Sequence, residues 1–130
     1  MATPTIIIHI DPGPWEDPQW RNHRPTGGKV AGRVRVSCME TLACRGVRLT
    51  IGWRTEGRGD QDSALILDDT PHYGELSPGD HEFPFSVEIP AGPISYQGHH
   101  IKIVWFAAAR IDLAWKRDPK AEQQFLVTLP

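Results

Sequence analysis

Residues 99–116 alternate between an apolar face and a mixed one. Ile101, Ile103, Trp105, Ala107, Ala109, Ile111, Leu113 and Trp115 share one side, while His100, Lys102, Val104, Phe106, Ala108, Arg110, Asp112, Ala114 and Lys116 share the other. Successive side chains of a strand point to opposite faces, so the pattern predicts a long strand with one face in a core. A helix would scatter the same positions around its circumference. At about 3.3 Å per residue the stretch would span roughly 50 Å, and a strand that long is expected to bend or bulge. The small residues Ala107 to Ala109 are the expected place.

The same period recurs along the chain. The β-branched run at 5–10 predicts a first strand. Over 29–38, Val30, Val34 and Val36 alternate with Lys29, Arg33 and Arg35, and Gly32 marks a bulge or a close contact. A turn at 39–43 leads to a second alternating strand at 45–54, so the two are expected to pair as a hairpin. Residues 63–68 suit a short strand. Phe83, Phe85, Val87 and Ile89 form another, in which Pro84 signals an edge or a bulge. Phe125, Val127 and Leu129 alternate in the last. The sum is about seven to nine strands in an all-β, two-sheet antiparallel sandwich with no helix beyond a short turn. Its expected core is Val34, Val36, Leu49, Ile51, Trp53, Phe83, Phe85, Ile101, Ile103 and Trp105.

Composition agrees: Gly 12 and Pro 12 in 130 residues interrupt the chain too often for long helices. The length suits one domain covering 1–130. A formal net charge of -2 gives no footprint for nucleic acid. No stretch approaches the roughly 20 apolar residues of a membrane span, and the first residues lack the form of a secretory leader, so a cytoplasmic protein is expected. Cys38 and Cys44 flank a short turn, but face parity sends their sulfurs to different sides, which predicts two free thiols.

One block has a family character. Residues 76–90, Leu-Ser-Pro-Gly-Asp-His-Glu-Phe-Pro-Phe-Ser-Val-Glu-Ile-Pro, resemble the signature of the arrestin fold. Pro93 to Gly98 is similar to the turn that follows it there, and Ile101 to Ala109 to the next long strand. Upstream, Gly28 to Val34 and Val47 to Trp53 resemble earlier strands, so the match runs in order over 28–115. The α-arrestin and bacterial single-domain branches are the nearest in character. The resemblance implies an immunoglobulin-like β-sandwich of arrestin type that serves as a protein-binding adaptor or scaffold rather than an enzyme. Full arrestins carry two such sandwiches, and this chain has room for one. An edge-strand homodimer is therefore among the expectations.

The candidate chemistry is sparse. His99 and His100 are adjacent, so on a strand they face opposite sides; His81 falls on core parity; His23 and His72 fall in loops. No catalytic, cofactor-binding or metal-ligating set stands out, and no cofactor is expected. The irregular stretches 11–28 and 54–62 are the expected binding surface, with Trp15, Trp20, Arg54 and Arg58 as partner-binding candidates. The alternative is a small-ligand or carbohydrate-binding sandwich using the two tryptophans.

Overall fold

A computed structural model describes residues 3–14, 22–59, 61–114 and 116–130. Among them the regular structure is nine strands and no helix: β1 (Thr5–Ile10), β2 (His23–Pro25), β3 (Lys29–Cys38), β4 (Gly46–Gly57), β5 (Ser63–Tyr73), β6 (Gly79–Glu88), β7 (Tyr96–Gln97), β8 (Ile101–Asp112) and β9 (Lys120–Thr128). They form a three-stranded sheet in the order β1-β3-β6 and a six-stranded sheet in the order β2-β9-β8-β4-β5, with β7 paired to β8. All pairings are antiparallel except that of β2 with β9.

Alternation places the core between the sheets. Ile8, Val30, Val34, Val36 and Phe85 are buried from one side, and Val47, Leu49, Ile51, Trp105, Ala107, Ala109, Ile111, Phe125 and Val127 from the other. Most of the expected core is therefore in place. Trp53 and Phe83 are partly buried against it, whereas Ile101 and Ile103 are only half-buried. The centre lies nearer the other end of β8, at Trp105 to Ile111.

Four expectations are corrected. β3 and β4 are not a hairpin: β3 pairs with β1 and β6, and β4 with β5 and β8. The segment between them crosses from one sheet to the other, tied midway by a bridge from Leu42 to Leu76. β8 does not bulge at its alanines. Its register with β4 runs unbroken from Ile101 to Asp112, and the strand stops there, short of residue 116. Asp118 Oδ1 accepts from the Leu113 amide at 2.9 Å in the turn that follows. The irregularities lie instead in the β4–β5 pairing, and β5 is longer than expected, reaching Tyr73.

Gly32 is a close contact rather than a bulge, since β3 keeps register on both sides. Pro84 does sit on an edge strand, β6.

Cys38 and Cys44 are free thiols. Cys38 is buried; Cys44 precedes β4 and packs against the core rather than away from it, its Sγ 3.2 Å from the Gly74 carbonyl oxygen. Burial pushes both thiols above their ordinary pKa. Both are expected to react slowly with a thiol reagent in the native state, because the thiolate is the nucleophile. Both should react fully after denaturation without reductant; finding neither would mean they are oxidised.

Candidate functional site

The register identifies which backbone groups are left over. The amide of Asp11 donates to the Ala31 carbonyl at 2.9 Å, and residues 5–10 continue that register against β3. Hydrogen-bonded and non-bonded pairs alternate in an antiparallel ladder, so His9, Ile7 and Thr5 bond to β3. The N–H and C=O groups of Ile6, Ile8 and Ile10 then point away from it, and they have no backbone partner among the described residues. This edge lies beside β9 across a cleft of about 190 Å³. β2 covers only Leu126 to Thr128 of β9, so the outer edge of Lys120 to Gln124 is open as well among the described residues.

Arg24 closes one end of this seam. It is buried, and its guanidinium donates to the Asp11 carbonyl. Burial lowers its pKa from the ordinary arginine value, with Asp11 opposing. The Arg24 contact fixes the chain just after β1, at the point where the edge ends.

The other edges are less receptive. β6 carries Pro84 opposite Arg33, a non-bonded pair, so the missing amide is on the outward side. β5 carries Pro71 and two register shifts against β4. Prolines and bulges on an edge are recognised defences against unwanted pairing.

The sequence candidates separate. Trp15 and Trp20 lie outside the described residues. Arg58 is exposed in the connection after β4, where its amide donates to the His100 carbonyl at 2.9 Å. Arg54 is not in that connection, because β4 extends to Gly57. Its guanidinium lies over the Phe106 ring at 5.1 Å and donates to Glu56, at 2.8 Å, and to both carboxylate oxygens of Glu122. The sequence could not show that partner, which arrives on β9.

The histidines are placed by backbone contacts. His72 lies in β5, not a loop, and its Nε2 is 2.9 Å from the Glu75 carbonyl oxygen. His81 Nε2 is 2.7 Å from that of Ser77. His99 and His100 meet edge to face at 4.7 Å. No group of three or more His, Cys, Asp or Glu is arranged to hold a metal ion among the described residues.

Arginines hold three carboxylates below their ordinary pKa through hydrogen bonds: Arg48 on Asp68, Arg35 on Glu82 and Arg54 on Glu122. A depressed folded-state pKa contributes stability above the unfolded carboxylate range of about 4, and that contribution is lost as pH falls through the lower folded values. Thermal melts should therefore show the midpoint falling below about pH 4. The fall should be smaller in an Arg54→Gln variant, and an equal fall would mean that the Arg54–Glu122 contact contributes nothing to it.

Comparison with known proteins follows the same fold. Residues 59–130 match the family model for "Arrestin (or S-antigen), N-terminal domain", more than half of the chain. Over 99 residues the chain is 33% identical to an arrestin domain-containing protein 1 of Rattus norvegicus, covering 75% of this chain and 22% of that protein. The chain thus spans about a fifth of the curated relative it matches. The crystal structure of Spo0M, a sporulation control protein of Bacillus subtilis, superposes with a TM-score of 0.69 at 17% identity, covering 100% of this chain and 51% of that one.

Proposed function

Because the chain belongs to the arrestin family, through the N-terminal domain whose model it matches, we propose that it is a protein-binding adaptor module without turnover chemistry. Its partner contributes an extended segment that lies along β1. The observation carrying this reading is the row of outward backbone groups at Ile6, Ile8 and Ile10. Adding a strand to such an edge supplies main-chain hydrogen bonds, while alternate side chains set specificity. Ile7, 55% exposed on the outer face of β1, would meet the partner's side chains. A second copy of the chain using β1 would compete for the same edge.

Partner capture on the immobilised protein tests this. Ile7→Glu, an exposed change opposite Arg35, should leave stability within about 0.5 kcal/mol, and should weaken capture. Full capture by that variant, with loss instead in Arg58→Ala, would move the site to the connection after β4.

A further inference from the structure

We propose that the outer face of the six-stranded sheet, away from the β1 edge, holds a seat for carboxylates of an acidic segment of a partner protein, formed by Arg110 and Lys120 above Ala108 and Thr50. The register places Arg48 opposite Arg110, and Arg110 opposite Lys120. Three cations thus stand in one row across neighbouring strands, at a spacing of about 4.8 Å. Like charges directly opposite one another destabilise a sheet unless something neutralises them.

The neutralisation is uneven along the row. Asp68 takes Arg48 in a two-pronged contact at 2.8 and 2.7 Å. Arg110 reaches Asp118 only at 3.5 Å. Lys120 makes no ion-pair contact among the described residues. The nearest carboxylate on its own strand, Glu122, is bonded through both oxygens to Arg54. Two adjacent cations therefore keep donors to spare.

Room lies beside them. The next row along the sheet is Thr50, Ala108 and Glu122, and its small members leave a cup of about 480 Å³ rimmed by Arg48, Arg110, Lys120 and the Arg54-bound Glu122. Methyl groups on the floor and donors above suit a carboxylate on an aliphatic stem. Hydrogen bonds from a guanidinium or ammonium to a carboxylate are among the stronger protein contacts. Asp118 and Asp68 act on Arg110, and Glu122 on Lys120, so the seat is only weakly positive and suits single carboxylates better than a dianionic phosphate. A basic partner would add to the repulsion already in the row.

An NMR titration of the isotope-labelled chain with hexaglutamate tests the seat. Saturable shifts should be confined to Thr50, Ala108 to Arg110 and Lys120 to Glu122, and should fade as salt is raised. Lys120→Gln and Arg110→Gln should each weaken binding by roughly fivefold or more, with spectra that remain dispersed as for the folded protein. Shifts spread over the whole surface, or an affinity unchanged in both variants, would overturn the proposal. So would pyrophosphate giving the same shifts at lower concentration than the peptide, which would assign the seat to phosphate. None of these outcomes bears on the β1 edge, which lies on the other sheet.

Discussion

Truncating Trp105 to alanine is expected to cost about 3–5 kcal/mol of folding stability. The side chain is fully buried. It stands opposite Trp53 on β4 and Phe125 on β9, with the Phe125 ring centroid 6.0 Å from its own. It is also the side chain that ties the chain before β7 to the core, because its Nε1 donates to the Pro93 carbonyl at 2.9 Å. Alanine would leave a cavity under β8 and release that carbonyl together. In a domain of this size the midpoint of thermal unfolding should drop by roughly 10 °C or more. Trp105→Phe keeps much of the ring and removes only the hydrogen bond and part of the volume, so its loss should be clearly smaller. Urea unfolding of the two variants separates the contributions. An alanine variant with the wild-type midpoint would show that the core is centred elsewhere.

Adding one methyl group at Gly32 is expected to be nearly as damaging. A Cβ there would lie 2.0 Å from the His9 carbonyl oxygen and 2.9 Å from the Phe85 ring. The ring could give way, but the carbonyl belongs to the β1 backbone. Relieving that overlap means moving β1 off β3 around the Ile10–Gly32 pair. Overpacking a tight site typically costs 1–3 kcal/mol, and a backbone clash belongs at about 3 kcal/mol or above. The gain from a stiffer unfolded chain, about 0.4–1 kcal/mol, is too small to offset it. The loss in Gly32→Ala should be read from the urea midpoint. A neutral or stabilised variant would mean that β1 does not approach β3 as described.

The faces of the strands were legible in the sequence; their assignment to sheets was not. Val34, Val36, Leu49 and Ile51 announce buried sides by their period. β3 and β4 enter the core from opposite sheets, yet a hairpin would give them the same alternation. The partners tell the two apart: β3 pairs with β1 and β6, β4 with β5 and β8. β2 and β7, with three and two residues, are too short for any period to show. Pro84 marked its edge because a missing amide has one tolerable place in a sheet. The unpaired edge of β1 carries no such mark, since Ile6, Ile8 and Ile10 read like any half-buried strand. Arg54 looked free because Glu122 lies far along the chain. The row of Arg48, Arg110 and Lys120 likewise exists only once the register is known.

Amide hydrogen exchange along β1, with and without bound partner, reads the added strand directly. In the protein alone, Ile7 and His9 should be protected by β3, while Ile6, Ile8 and Ile10 exchange fast. With partner bound, those three amides should slow by about tenfold or more, equivalent to roughly 1.4 kcal/mol of added protection. Ile6, Ile8 and Ile10 unchanged in the complex, with new protection confined to residues 58–62, would contradict it.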